Sequence, residues 1–165
     1  MLWILVTAFC INPIPTTSGV ITSSYGWRLL PGQPARTFHK GIDIRAKLGT
    51  PVRSVRKGKV SFASEDTQGG GGLMVDVVTD ALGEKFIARY AHLHKILVKK
   101  GDTVKPGQVI GTVGSTGFST GPHLHFEILT ITKDGRIEYH NPSSWTCRHK
   151  IDLQVPHFKT GKNKK

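Results

Sequence analysis

Two histidines separated by a single apolar residue, in the run Gly121-Pro122-His123-Leu124-His125-Phe126-Glu127, constrain this chain more than any other feature. On a strand, both imidazoles share one face while Leu124 and Phe126 point the other way, into a core. Neutral imidazole is the commonest protein ligand for zinc, so such a strand presents nitrogen donors from an apolar support. Further ligands are offered upstream by His39-Lys40-Gly41-Ile42-Asp43-Ile44. Read as one strand, this segment puts His39, Gly41 and Asp43 on one face and Ile42 and Ile44 on the other, with Gly41 leaving room for an ion. His39, Asp43 and one histidine of the pair give three ligands. That is the ligand count of a catalytic zinc with one coordination position open; a structural zinc is more often closed by four.

The rest of the chain supplies a scaffold for these residues. At 165 residues it fits one domain with a sizeable core. Nineteen glycines and nine prolines scattered among short Val- and Ile-rich runs, with no long apolar period of 3.6, predict an all-β fold. Gly19 to Arg28 reads as an opening strand with Tyr25 and Trp27 available beside the site, and Pro31 to Pro34 as a loop. Val52, Val55, Val60 and Phe62 are core candidates around a glycine turn. Gln68 to Gly72 reads as a flexible rim loop, because four glycines carry no side chain to pack. Leu73–Thr79 and Lys85–Leu93 form a hairpin in which His92 shares a face with Tyr90 and Leu93 enters the core. Gly114 to Gly121 reads as a mobile loop of glycines and hydroxyls. A closing hairpin turns at Asp134-Gly135, and Asn141-Pro142 ends the domain.

The 23 basic and 11 acidic residues give a formal charge of +12, which favours anionic partners or simply solubility. No arginine-rich recognition helix, aromatic RNA-binding signature or zinc-finger spacing accompanies that charge, so no specific nucleic acid is expected. Wall phosphates and anionic lipid head groups satisfy the same electrostatics. Six basic residues and one acid from Arg148 onward place +5 in the tail, which reads as disordered. Cys10 and Cys147 are too few for a disulfide framework or a zinc knuckle. Met1 to Ile11 is apolar but too short to span a bilayer and lacks a positive start, leaving a signal remnant or a buried first strand. Phe9 before Cys10 does not fit a lipoprotein cleavage site.

Three motifs in fixed order, the His39/Asp43 pair, Tyr90-Ala91-His92-Leu93, and His123-Leu124-His125 within Gly-Pro-His-Leu-His-Phe-Glu, carry a resemblance. From about Thr22 to Pro142 the chain resembles the lysostaphin-type M23 zinc metalloendopeptidases, which cut peptide bonds in bacterial peptidoglycan. The resemblance implies an antiparallel, duplicated-hybrid or barrel-sandwich-like peptidase domain over residues 19–145. An N-terminal extension (1–18) and a basic C-terminal tail (146–165) would flank it. It also implies His39, Asp43 and His125 as ligands of one Zn2+ per chain, with His92 and His123 as catalytic residues that share the acid-base and transition-state roles. Which of the two is the base stays open. Stem peptides or cross-bridges would be the substrate, anionic wall polymers would attract the tail, and the protein would act as a monomer in the envelope, periplasm or extracellular space, or from a phage on its host's wall. The loop at residues 31–34 lacks the tyrosine expected of pentaglycine-cutting members. Glu127 shares the face of His125, and orienting a ligand and facing solvent are both open to it. His94, His140, His149 and His157 read as surface residues.

Two rival readings meet specific obstacles. Metal-free members of the fold that act as binding or activating modules generally lose ligand residues, whereas all of them are present here. The segment from Lys100 to Gly111 also resembles biotinyl, lipoyl and phosphohistidine carrier scaffolds, but no lysine stands in a Met-Lys-Met or Asp-Lys-Ala hairpin.

Overall fold

Twelve strands and one short 3-10 turn account for the regular structure in the computed structural model, which describes residues 12–14, 18–29, 32, 34–81, 84–132 and 134–144. The expectations for Met1 to Ile11, for both cysteines, for His149 and His157 and for the basic tail lie outside the described residues. The strands are β1 (Val20–Ser23), β2 (Gly26–Leu29), β3 (Arg36–His39), β4 (Ile42–Arg45), β5 (Pro51–Arg53), β6 (Gly58–Asp66), β7 (Gly72–Ala81), β8 (Glu84–Ile96), β9 (Thr103–Val104), β10 (Val109–Val113), β11 (His123–Ile131) and β12 (Ile137–His140), before the turn Pro142–Ser144. The all-β expectation holds.

One large antiparallel sheet runs in the order β1-β4-β11-β8-β7-β6-β9, with β12 beside β11 and with β10 joined to β5 and β8. A separate two-stranded ribbon pairs β2 with β3. The hairpins expected after Leu73 and after Glu127 both form, the second turning where Gly135 adopts φ 81°. Beneath the centre of the sheet lies a core in which Leu124 and Phe126 meet Ile42, Val75, Tyr90 and Leu93, all fully buried. Each such side chain contributes on the order of 1.5–3 kcal/mol by leaving water. Tyr90 stacks on Phe126 with ring centroids 5.2 Å apart and accepts a hydrogen bond from the Val55 amide at 2.9 Å. Val52, Val55 and Val60 join this core, while a register shift between Val60 and Phe62 leaves Phe62 half-buried.

Three local readings are corrected by the backbone. Gly19 to Arg28 is two strands: β1 enters the large sheet and β2 the ribbon. Residues 39–44 are not one strand either, because the chain leaves the ribbon at His39 and joins the large sheet only at Ile42. At the crossing, a Cβ on Gly41 would lie 2.3 Å from the Phe126 carbonyl oxygen and 3.0 Å from Cγ of Glu127. The missing side chain thus makes room for β11 and Glu127. Third, Tyr90 and His92 do not share a face: Tyr90 is wholly in the core, and His92 follows at φ 60°, where the strand alternation breaks.

Candidate metal-binding active site

Strand β11 sets the site's geometry, because His123, His125 and Glu127 recur every second residue on the face opposite Leu124 and Phe126. In register, His125 stands across from Asp43 of β4 on one side and Ala91 of β8 on the other. His39 arrives from the end of the ribbon. His39 Nε2 lies 3.1 Å from Asp43 Oδ1 and 3.1 Å from His125 Nδ1, and His125 Nδ1 lies 2.8 Å from Asp43 Oδ1. These three residues form a group able to hold a metal ion. Tetrahedral zinc with bonds near 2.0–2.1 Å separates its ligand atoms by about 3.3 Å. The observed triangle is close to that edge, so the donor set and its spacing fit the ion.

The hydrogen bonds on the far side of each ring decide which nitrogen faces inward. A carbonyl or carboxylate oxygen only accepts, so the nitrogen against it carries the proton. His39 Nδ1–H donates to the Ser24 carbonyl at 2.9 Å, which turns a lone pair on Nε2 toward Asp43. His125 Nε2–H donates to Glu127 Oε1 at 2.9 Å, which leaves Nδ1 for the same point. His92 Nδ1–H donates to the Thr116 carbonyl and His123 Nδ1–H to the Gly121 carbonyl, both at 2.8 Å. The His92 ring lies 4.8 Å from that of His123 and 5.8 Å from that of His125, measured between centroids. His123 Nε2 is 3.8 Å from Asp43 Oδ1. All five residues singled out in the sequence are therefore brought together. Glu127 is buried and accepts from His125, so it is not the solvent-facing carboxylate of the second alternative.

The titration behaviour follows from this packing. Burial would raise the Asp43 carboxyl, but the His125 and His39 rings, which can both donate to it once doubly protonated, outweigh burial and hold the group well below the usual carboxylate range. Burial would likewise depress His125, yet the carboxylates of Asp43 and Glu127 on either side favour its doubly protonated ring and lift it to about 9. His92 moves the other way: burial pushes it below the ordinary histidine value, against the bond to Thr116.

His92 is set by irregular backbone. Its φ of 60° is costly for a residue other than glycine, on the order of 1–3 kcal/mol. It is held by its own amide, which donates to Gly71 O at 2.8 Å, and by the ring bond to Thr116. The glycine loop lies on the rim as expected, but it is pinned in place. The Asp66 carboxylate accepts from the amides of Gln68, Gly69 and Gly71 at 2.9–3.2 Å, and Phe118 N donates to Gly70 O at 2.8 Å. Thr116 Oγ1 donates to Leu93 O and accepts from Leu73 N, which ties the 114–121 loop to β7 and β8. Together with the strand face, these loops enclose a cleft of about 530 Å³ over the histidines.

Sequence reasoning missed Arg28, whose Nη1 donates to Asp43 Oδ2 at 3.2 Å and also to Ser23 Oγ. One carboxylate oxygen of Asp43 thereby faces Arg28 and the other faces His39 and His125. Arg28 follows Tyr25-Gly26-Trp27 in a segment valued only for its aromatics, and the signal lay in the arginine itself. Of the remaining histidines, His94 is exposed as expected, whereas His140 is half-buried and hydrogen-bonded with Thr130 at 2.9 Å.

Comparison with known proteins agrees with this geometry. The family model for peptidase family M23 matches residues 37–140. The glycyl-glycine endopeptidase ALE-1 of Staphylococcus capitis is 46% identical over 92 residues, 56% of this chain and 25% of that protein. Lysostaphin of Staphylococcus simulans is 43% identical over 90 residues, 54% of this chain and 18% of that protein. The chain therefore spans about a quarter or less of the length of these curated relatives. Among solved structures, the catalytic domain of lysostaphin from Staphylococcus simulans superposes with a TM-score of 0.61 at 35% identity, covering 73% of this chain and 86% of that one. A match along most of the described strands, with His39, Asp43, His92, His123 and His125 all inside it, leaves one assignment: this chain belongs to peptidase family M23.

Proposed function

We propose that this chain is a zinc-dependent endopeptidase that hydrolyses peptide bonds in the stem peptides or cross-bridges of bacterial peptidoglycan, acting in the cell envelope or outside the cell. The observation that carries the reading is the convergence of His39 Nε2, Asp43 Oδ1 and His125 Nδ1 at 2.8–3.1 Å, with the rings of His92 and His123 beside them. His39, Asp43 and His125 would hold one zinc ion. When bound, the ion supplies Lewis acidity, which lowers the pKa of water and polarises a peptide carbonyl.

The chain's own residues supply the proton movements. His92 is neutral and presents a lone pair on Nε2, since Nδ1–H is committed to Thr116. It accepts the proton of the attacking water and returns it to the leaving amine. His123, whose Nδ1–H is held by the Gly121 carbonyl, turns Nε2 toward Asp43 and the cleft, where it would donate a hydrogen bond to the developing oxyanion when that nitrogen carries a proton. Arg28 holds Asp43 Oδ2, while Oδ1 faces His39 and His125 and would be the oxygen offered to the ion. The glycine loop and Phe118 form the rim along which an extended peptide would lie. Residues 148–165 would promote encounter with anionic wall polymers through their +5 charge, an effect that fades as salt rises.

Elemental analysis and mass spectrometry of muropeptides released from several purified wall types test the reading. About one zinc per chain, with chelator-sensitive release of peptides bearing new termini, is expected. Zinc-loaded protein that cleaves no wall type would overturn it.

A further inference from the structure

Beside the row of Asp43, His125 and Ala91 runs a second row on the same face of the sheet. Asp76 of β7 stands directly across from Arg89 of β8, and Arg89 directly across from Glu127 of β11. Arg89 grips Asp76 in a fork, Nε to Oδ1 at 2.9 Å and Nη2 to Oδ2 at 2.8 Å. Its remaining Nη1 reaches Glu127 Oε2 at 3.5 Å, which leaves Oε1 to take the His125 Nε2 proton. Asp76 and Glu127 are both buried, at 6% exposure each. Gly41 lies against the Glu127 side chain, so the carboxylate has little room to turn.

A buried ion network of this kind is weak evidence for stability, because desolvation offsets much of the attraction and apolar side chains of similar volume do as well. Its end point is more informative. The two carboxylates and the guanidinium form an unbroken chain of contacts that finishes on the outward nitrogen of His125. We infer that Asp76, Arg89 and Glu127 form a positioning unit for His125. Asp76 orients the guanidinium, the guanidinium turns the Glu127 carboxylate, and the carboxylate fixes the tautomer and rotation of the imidazole. His125 Nδ1 is thereby held on the point shared with His39 and Asp43. Partners of this sort behind a ligating histidine change metal affinity by about 10–100-fold. The inference rests on the reading of His125 as a metal ligand.

A double-mutant cycle on zinc affinity tests it, measured by competition with a chromophoric chelator on the full chain. Glu127→Leu is expected to weaken zinc binding by about 10–100-fold and Arg89→Met by roughly tenfold. In the Glu127→Leu background, Arg89→Met should add less than about twofold, because its route to His125 is already cut. If Arg89→Met fails to fold for want of a partner for Asp76, the pair Arg89→Met with Asp76→Leu removes the orphaned carboxylate and must show the same roughly tenfold loss. The His125 Nε2–H proton resonance of the zinc-loaded protein gives an independent readout. It should be visible and slow to exchange in the parent, displaced by Arg89→Met, and lost in Glu127→Leu. Parent-like zinc affinity in both single variants, or losses that simply add, would overturn the positioning unit while leaving the proposed function standing. No zinc binding by the parent would overturn both.

Discussion

The two halves of the site are built on opposite principles. Asp43, His125 and Glu127 sit on uninterrupted strands, where register alone decides which residues face each other. His39 and His92 come from places where the strands fail: His39 closes the small ribbon, and His92 sits at φ 60° amid shifts of register. On the regular side, the pairing of neighbouring strands places the side chains opposite one another, and Glu127 on the same strand then holds the His125 ring. On the irregular side, each ring needs a local hook, the Ser24 carbonyl for His39 and the Thr116 carbonyl for His92. A sheet is a good device for setting spacing between ligands, but it cannot bend a donor back over its own face. Bulges, chain crossings and loops do that, and they require polar partners to hold them.

The comparison is broken most severely by removing a ligand from the regular half. Asp43→Ala deletes the anionic member of the proposed ligand set, and zinc content should fall from about one per chain toward none on elemental analysis, with activity on purified walls lost. Retention of a full equivalent of zinc would show that the strand-borne half does not hold the ion. His92→Ala probes the irregular half and should keep the zinc while turnover falls on the order of a hundredfold or more, as should His123→Ala. Loss of zinc from His92→Ala would mean that the bulged residue is a ligand and that the division between the halves is misdrawn.

How much of this was legible in the sequence follows the same division. Alternation in His123-Leu124-His125-Phe126-Glu127 predicts a strand with the histidines on one face and core residues on the other, and that strand is β11. The Gly-containing turns and Val-rich runs likewise announce the hairpins. Strand pairing is not written in local pattern, so the row Asp76, Arg89 and Glu127 could not be read from three residues far apart in the chain. Alternation also misleads where it is broken. Counting by twos put His92 with Tyr90, and counting by twos along His39 to Asp43 hid a chain crossing whose glycine serves β11 and Glu127. The five candidate residues could be picked out together because motif order survives such irregularities even when the period does not.

The crossing itself gives the next test. Gly41→Ala would drive a methyl group into the Phe126 carbonyl, 2.3 Å away, and into the Glu127 side chain. Neither neighbour is a flexible chain end that can swing aside. A loss of about 1–3 kcal/mol in denaturant unfolding is expected, together with weaker zinc binding as β4 and β11 separate. A variant as stable as the parent would show that the crossing tolerates a side chain and that Gly41 has no packing role.

The smallest effect belongs to the glycine rim, where Asp66 holds the loop through three backbone hydrogen bonds. Its carboxyl is held below the usual range by the amides of Gly69 and Gly71, the expected sign for a carboxylate that accepts from backbone donors. Because the loop is near the surface, these bonds compete with water, and their net effect is small. Asp66→Ala should leave zinc content unchanged and accelerate hydrogen exchange of the Gln68, Gly69 and Gly71 amides by about five- to tenfold, with each bond contributing on the order of 1 kcal/mol. His92 should also respond, since its amide bonds to Gly71 O, and a modest fall in turnover with unchanged metal is the signature of a hook loosened at one remove. If exchange and turnover both match the parent, the loop is held by Phe118 and Thr116 alone, and the irregular half has fewer anchors than its hydrogen bonds suggest.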